Sequence, residues 1–430
     1  MTIEEKLPPA QKWAQKLTLP VFLFSMLFMV TCSNTAVNNW PNPWNQLSIT
    51  IACLFPLFLA SFSNLSKWLK GKEVQSELLF IPIIIILGIL NVAIGEERYE
   101  NFKGMGLFLL SGVTVFTTTI LILKSYKAQT IFYWFYTLML LTIALNSFYA
   151  PLRFNYLKPL FSNNPIPESV TVTLLLAGPL LLLGRQKTTL GRVAIISFLL
   201  LGAASIVAIQ QRAAIAALII MILLLGCLFI NRFWIYLLCA IVSISLLFNI
   251  KSESYKELPE NSKKFLKVIE STPVVRMEMY YFAYYLIKKK PWLGTGLWAP
   301  LSHHLPDYKE SILATSKHDK RLFLDAVDRD STSFHNILLC MFVQMGSIFA
   351  ITYLALLGHI FFKVFQNHRE PLTSHSSLKS LMVLFFGFFI QSMFLDTLMY
   401  PDINFLFHSL LGVLANLTNK THDTLNGARD

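Results

Sequence analysis

Charged residues are scarce in this chain. They make up 14% of the 430 residues, whereas hydrophobic residues make up 54%, and a soluble domain carries about 25% charge. We find no low-complexity tract, no clear internal repeat and no soluble domain at either end. The composition therefore predicts a membrane protein, and it argues against an ordinary soluble enzyme.

Three other patterns are missing. The cysteines lie in apolar segments and show no disulfide or metal spacing, so we expect buried, hydrophobic side chains: Cys32, Cys53, Cys227, Cys239 and Cys340. The first apolar run is followed by many others, so we predict no cleavable signal. The net charge of +12 need not indicate nucleic acid, because lysine and arginine gather in cytoplasmic loops and at lipid headgroups.

Long apolar runs recur along almost the whole chain, and each is close to the length of about 20 residues that crosses a bilayer. They predict an all-α, polytopic integral membrane protein with about twelve transmembrane helices, at 18–37, 46–64, 78–95, 104–123, 129–149, 169–184, 193–210, 212–230, 232–250, 335–362, 380–399 and 403–418. Residues 1–250 hold nine of these helices, 251–334 form one large loop, and 335–430 hold the last three helices and a polar tail.

The orientation follows from the positive charges in the short loops. If the N-terminus is cytoplasmic, the inner loops hold twelve: Lys67, Lys70, Lys72, Lys124, Lys127, Arg185, Lys187, Arg192, Arg232, Lys363, Arg369 and Lys379. The outer loops hold five: Arg98, Lys103, Arg153, Lys158 and Arg212. We therefore expect both termini to be cytoplasmic and the large loop to face outward.

The large loop contains one predicted helix, from Thr272-Pro273 to Lys290, which Pro291 ends. Its apolar side holds Met277, Tyr280, Tyr281, Tyr284 and Ile287. We expect this stripe to pack onto the spans or the headgroup layer. The run Lys288-Lys289-Lys290 suits the negative end of the helix and predicts a lipid-facing patch.

His335 lies where the loop runs into the tenth predicted span. Ser333 is a good N-cap, which would place His335 at the second helical position. The helix N-terminus and partial burial both favour a neutral imidazole there. Such a ring is either a general base or an interfacial histidine with one hydrogen bond. We expect His303, His304 and His318 to be solvated, and we rank His359 and His408 second as functional histidines because both lie within spans.

Arg212 opens an apolar segment at the predicted outer boundary. It can extend to lipid phosphates, or it can bind a phosphate ligand through its paired donors. With Arg276 on the same side of the membrane, it would form a pyrophosphate clamp beside His335.

These residues together resemble the O-antigen ligase and O-antigen polymerase superfamily. The resemblance covers residues 205–346 and rests on Arg212-Ala213-Ala214, on Arg276 followed by Pro291 and Gly294-Thr295-Gly296, and on His335-Asn336 with Leu338 and Gly346. The span layout is similar to the ligase branch. Gln211 replaces the usual serine before the first arginine, and Ala213-Ala214-Ile215 replaces the usual Gly-Ala-Trp.

The resemblance implies an inverting glycosyl transfer in the bacterial inner membrane, with the active site facing the periplasm. The donor is O-antigen on undecaprenyl pyrophosphate, and the acceptor is a sugar hydroxyl of lipid A–core. Arg212 and Arg276 would bind pyrophosphate, and His335 would be the base. The secondary candidates are Asn336, Asp330, Gly294 and Gly296. The chemistry requires no metal and no cofactor.

Several alternatives remain open. A polymerase or a protein O-oligosaccharyltransferase of the same superfamily fits the same residues. A metal-dependent transferase would carry carboxylates in its first outer loop, but residues 38–45 have none. Asp328-Arg329-Asp330 resembles a metal motif, and we expect it to cap or pair near the helix start. A transporter or lipid flippase would favour mid-membrane charges in matching halves, whereas these polar groups gather at one face.

Overall fold

The computed structural model describes residues 9–36, 51–60, 76–95, 97–149, 165–209, 211–229, 279–312, 334, 336–367, 375–394 and 400–426. Within these residues the regular structure is entirely helical. Five helices are long and apolar enough to cross a membrane: Ser76–Ile94, Arg98–Ile122, Tyr126–Leu145, Thr189–Ile209 and Ser347–Gln366. Five shorter apolar helices accompany them: Lys16–Val30, Ile51–Ala60, Glu168–Leu183, Ala213–Leu225 and Ser377–Ser392.

The predicted fold class, an all-α multi-pass membrane protein, is confirmed. Each predicted span except 232–250 overlaps a helix, and that one lies outside the described residues. The count of twelve spans and the three-part division of the chain stay predictions.

Sixteen α-helices follow one another in the described residues. The first ten are α1 Pro9–Ala36, α2 Ile51–Ala60, α3 Phe80–Ile94, α4 Arg98–Phe108, α5 Val115–Ile122, α6 Tyr126–Tyr149, α7 Pro165–Leu175, α8 Ala177–Leu183, α9 Thr189–Ile209 and α10 Arg212–Phe229. The others are α11 at 279–289, α12 Leu305–Ile312, α13 Ile337–Cys340, α14 Ser347–Asn367, α15 His375–Ser392 and α16 Pro401–Asn426. Short 3-10 turns, Ser76–Leu79 and Leu301–His304, precede α3 and α12.

Helix α16 forms the centre of the bundle. It packs against α1, α5, α7, α14 and α15, and residues 401–416 are buried on all sides of the helix. Its polar groups bond within the bundle: the Asn404 amide donates to Ser111 Oγ at 2.8 Å, and His408 Nε2 lies 2.8 Å from the Tyr353 hydroxyl. By contrast, α3 exposes isoleucines along much of its length, as expected of a lipid-facing helix.

Two π-helical segments interrupt the described helices. Leu109–Thr114 joins α4 to α5, and Met341–Met345 lies between α13 and α14. Such segments are rare and occur often at functional sites. The second one follows directly after the residues that carry the predicted chemistry, and the candidate site is built around it.

Candidate functional site

Asn336 begins the helix next to the predicted base. Its backbone is extended, and its Oδ1 accepts hydrogen bonds from the N–H groups of Leu338 at 3.0 Å and Leu339 at 3.1 Å. The predicted N-cap at Ser333 is therefore wrong, because the Asn336 amide already caps the first turn. His335 consequently lies one residue before the N-cap, and not at the second helical position. His335 itself lies outside the described residues.

Both chain neighbours of His335 are fixed in the protein interior. Phe334 is fully buried and packs on Phe282, with the ring centroids 6.3 Å apart. The Asn336 side chain caps α13, and its Nδ2 donates to the carbonyl of Met393 at 3.3 Å. The two residues that flank His335 are thus an apolar anchor in the loop core and a helix cap.

The tenth predicted span is a broken helix. The sequence predicts one span over 335–362, but α13 has only four residues. The π-helix Met341–Met345 and Gly346, at φ +83°, separate it from α14. A Cβ on Gly346 would lie 2.3 Å from the Trp292 carbonyl oxygen, so a segment of the large loop comes into contact with the chain at the break.

That segment is the turn 291–296, which pairs with the break through four backbone hydrogen bonds. Thr295 N–H donates to Val343 O at 2.8 Å, and Gly296 N–H donates to Gln344 O at 3.0 Å. In return, Pro291 O accepts from Ser347 N–H at 2.9 Å, and Trp292 O accepts from Ile348 N–H at 3.3 Å. These bonds satisfy carbonyl and amide groups that an interrupted helix leaves unpaired.

The glycines of the turn make this docking possible. Gly294 has φ +70° and Gly296 has φ +111°, a region that side-chain-bearing residues rarely adopt. A Cβ on Gly294 would lie 2.6 Å from the Gln344 carbonyl oxygen. The contacts of both glycines with the helix break explain why glycine stands at these positions. A direct role of either glycine in substrate binding stays a prediction.

We call the contact between the turn 291–296 and the helix break at 341–348 the joint. Two buried asparagines connect the α3–α4 corner, where α3 ends and α4 begins, to this joint, and they were not identified from the sequence. The Asn91 amide donates to the carbonyls of Leu293 and Gln344, the second at 3.1 Å. The Asn101 amide donates to Asn91 O at 2.9 Å, and its Oδ1 accepts from Leu297 N–H at 2.7 Å. Asn91 is the one amide side chain in the otherwise apolar α3, and that contrast was the available signal.

The large loop has a small core of its own. It is formed by α11, α12, the 3-10 turn and the start of the tenth span: Met279, Phe282, Ala283, Leu286, Leu301, Leu305, Tyr308, Phe334, Cys340 and Val343. Tyr281 and Tyr284 are 56% and 60% exposed, so of the two predicted environments, the spans and the headgroup layer, they do not occupy the first among the described residues. The reason is the register of α11, whose buried stripe is Met279, Phe282, Ala283 and Leu286. Contact with headgroups stays a prediction.

An ion pair joins the two helices of the loop. Lys289 Nζ bonds to the Asp307 carboxylate. This hydrogen bond and the positive charge of Lys289 hold the pKa of Asp307 below its usual value, and His304 adds a smaller effect in the same direction. His304 is buried, contrary to the prediction, because it lies in the 3-10 turn that packs into the loop core. His303 is exposed, with Nδ1 3.2 Å from Glu97 Oε1, and His318 lies outside the described residues.

Two arginines are predicted to bind phosphate. The structure describes the backbone of Arg212, which lies in a helix, but it does not describe Arg276. Helix α10 begins at Arg212, as predicted, and its first turn is closed by the Ile215 N–H bond to Gln211 O at 3.0 Å. The Arg212 side chain lies outside the described residues, as do Arg276 and Asp330. Their grouping with His335 therefore stays a prediction.

The two histidines that were ranked second as functional residues bond to other groups of the bundle. His408 Nδ1 lies 2.8 Å from Asn404 O, and His359 Nε2 lies 2.9 Å from Ser76 Oγ. Of the cysteines, Cys53 and Cys340 are buried free thiols, as predicted. Among the described residues, no group of three His, Cys, Asp or Glu side chains could hold a metal ion. Asp402, a buried acid in the first turn of α16, was missed because its burial is a tertiary property.

The fold and the joint define a multi-pass helical membrane protein with its candidate site beside a broken helix. Residues 195–354 match the family whose model is described as O-antigen ligase. The matched segment includes all seven predicted site residues, from Arg212 to Asn336, and it confirms the resemblance predicted from the sequence. No curated protein matches the chain. The family supports a glycan-transferring function of the O-antigen ligase or polymerase type.

Proposed function

We propose that this protein is an O-antigen ligase. It transfers the polysaccharide from undecaprenyl pyrophosphate to a sugar hydroxyl of lipid A–core. The observation that carries the proposal is the family match over residues 195–354, together with the fixed backbone on both sides of His335. Phe334 is buried in the loop core and Asn336 caps α13, so this backbone can hold a reacting group in place.

The leaving group is stabilised by the two arginines in this proposal. A guanidinium stays charged and matches phosphate oxygens with paired donors. Arg212 and Arg276 therefore bind the pyrophosphate and neutralise the charge that develops on it as the glycosidic bond breaks. Pyrophosphate is already a good leaving group, so the reaction proceeds without a metal.

The acceptor is activated by His335. The imidazole takes the proton of the acceptor hydroxyl. The hydroxyl oxygen attacks the anomeric carbon, and the bond from that carbon to the pyrophosphate oxygen breaks. One displacement inverts the anomeric configuration. Because His335 directly precedes the N-terminus of α13, the helix dipole disfavours its charged form and keeps the base available.

The proposal includes an orientation in the inner membrane. Both termini are cytoplasmic, and the loop 251–334 faces the periplasm, where the lipid-linked donor is used. A reporter fused near Lys309 should give a periplasmic signal, whereas fusions at Lys187 and the C-terminus should give cytoplasmic signals. A cytoplasmic signal at Lys309 would overturn the assignment of the site.

The lipopolysaccharide of cells that lack this protein tests the function. Loss of a ligase leaves lipid A–core without O-antigen on a gel. In a separate test of the metal requirement, the purified protein should transfer glycan in excess chelator. Core that bears a single repeat would instead identify a polymerase. If the purified protein transfers nothing and the ladder is normal, the transferase proposal is wrong.

A further inference from the structure

We propose that Asn91 and Asn101 are positioning residues for the transfer reaction, which makes the α3–α4 corner a part of the functional site. They connect this corner to the turn 291–296 and to the helix break, and thereby set the place of the helix start that follows His335. This inference rests on the proposed function. Both asparagines lie outside the segment 195–354 that matches the family.

Asn91 joins two segments that are distant in the sequence. Its single amide donates to Leu293 O in the turn and to Gln344 O in the break, so it fixes one segment relative to the other. The side chain is fully buried, and its Oδ1 has no hydrogen-bond partner within the described part of the chain. An unpaired buried oxygen is unfavourable, so the side chain bears a cost that its two hydrogen bonds to the turn and the break must offset.

Asn101 extends the connection to the next segment of the loop. It bonds Asn91 O through Nδ2 and Leu297 N–H through Oδ1, at 2.9 and 2.7 Å. Gly104, one turn later on α4, lets the loop approach closely, because a Cβ there would lie 2.8 Å from Leu297 O. The α3–α4 corner is therefore fitted closely to the backbone of the loop at Leu297.

The connection continues to the predicted base. Gln344 belongs to the π-helix Met341–Met345, which follows directly on α13, and Asn336 caps α13. Because the run from the Asn336 cap to Met345 is continuous, we expect a shift at Gln344 to displace Asn336, the residue after His335. A displacement of about 1 Å in a reacting group can lower a rate about 100-fold. The two amides therefore affect the chemical step more than donor binding.

The experiment compares Asn91→Leu with a matched control, Asn416→Leu, in the purified full-length protein. Asn416 is also buried, and its amide also donates to two carbonyls, Thr119 O at 3.3 Å and Ile120 O at 3.2 Å, but it is far along α16 from the joint. With rates corrected for folded protein, Asn91→Leu should lower kcat about 10- to 100-fold with an unchanged donor KM. Asn416→Leu should keep kcat near the wild-type value.

A second measurement reports on the joint without using activity. Hydrogen exchange of the Thr295 and Gly296 amides, which bond to the break, should become about tenfold faster in Asn91→Leu, because a net stabilising bond is lost. Exchange at these amides should be unchanged in Asn416→Leu.

A third measurement uses pH. Asn91→Asp has no donor while its carboxylate is ionised, but the protonated acid regains an O–H donor for one of the two carbonyls. Its kcat relative to wild type should therefore rise as the pH falls, whereas the ratio for Asn91→Leu should stay flat.

The outcomes separate the two proposals. A wild-type protein without transfer activity refutes the proposed function, and the positioning role with it. If the wild type is active and Asn91→Leu loses no more kcat than Asn416→Leu, only the positioning role is overturned. Faster exchange at Thr295 and Gly296 with full kcat also overturns it, because the joint would then be purely structural.

Discussion

Helices α3 and α14 are antiparallel neighbours. Charged hydrogen bonds stabilise one end of the pair, and uncharged hydrogen bonds stabilise the other. At the Lys363 end, Nζ donates to Glu77 Oε1 at 2.6 Å, Ser76 Oγ at 2.7 Å and Asn419 Oδ1 at 3.0 Å, so a buried carboxylate meets a cation. At the Gly346 end, the fastening consists of the Asn91 amide and the four backbone bonds of the turn, all of them uncharged.

The difference indicates a division of labour between the two ends. A buried ion pair places strong fixed charges in a region of low dielectric. Neutral amides hold an equally defined geometry while adding no net charge. Under the proposed function, the hydrogen bonds at the Gly346 end add no charge that would compete with the ionisable groups of the reaction. We therefore expect substitutions at the Gly346 end to change transfer, and substitutions at the Lys363 end to change stability.

His335→Ala should have the largest effect and tests the comparison most directly. Transfer should fall roughly 10²- to 10⁴-fold, the usual share of a general base, while donor-lipid binding stays nearly intact. His303→Ala, at an exposed histidine of the same loop, is the matched control and should transfer normally. Transfer by His335→Ala at the wild-type rate would refute the base assignment.

Glu77→Gln tests how much the ion pair at the Lys363 end contributes to the free energy of unfolding. It leaves Lys363 without its buried anionic partner, which costs about 3–5 kcal/mol of unfolding free energy for a buried pair. The double substitution Glu77→Gln with Lys363→Met should recover part of this loss, because no unpaired charge remains. Denaturation in detergent measures stability, and kcat per folded molecule should be unchanged. A large fall in that kcat would break the division between the two ends.

Arg212→Lys and Arg276→Lys should lower transfer about 10²- to 10³-fold, the loss expected when a donor to a developing anion is removed. Lysine keeps the charge but not the paired donors. Donor-lipid binding should weaken in both variants, unlike in His335→Ala, and the two assays are made on the same purified protein. Donor binding as tight as in the wild type would argue against the pyrophosphate role.

Gly346→Ala should have the smallest effect of the four. The residue has φ +83° and faces the Trp292 carbonyl oxygen, so an added Cβ should destabilise the fold by about 1–3 kcal/mol. Gly358→Ala, in the helix α14 that follows Gly346, is the control because a Cβ there meets no atom within 4 Å. It should stabilise the protein by about 0.5–1 kcal/mol, as expected for glycine to alanine in a helix. If Gly346→Ala and Gly358→Ala changed the free energy of unfolding equally and with the same sign, the close contact of the turn with Gly346 would be contradicted.

Hydropathy predicted where the helices lie, since burial in lipid acts on each segment separately. It could not predict the break at Gly346, because the run from Ile337 to Ile360 is predominantly apolar and the turn that docks on the break lies about 50 residues earlier in the chain. The partners of Asn91 are equally distant. Long-range packing of this kind leaves no periodic signal in either segment.

Local rules also left choices open at the candidate site. Ser333 and Asn336 are both good N-caps, and only the folded backbone shows that Asn336 is used. In α11, two stripes of apolar and aromatic residues compete, and the one with Phe282 and Leu286 is buried. The residue types that carry the proposed chemistry were readable from the sequence, whereas their exact setting depends on the loop core.

The central position of α16 has a consequence for the order of assembly during synthesis. This helix follows in the chain every helix that it packs against. The ribosome therefore delivers α16 after the helices that it contacts. Asn404 and His408 find their partners on those earlier helices, and polar groups are unfavourable in bare lipid. We therefore expect the helices that contact α16 to complete their packing only after α16 is inserted.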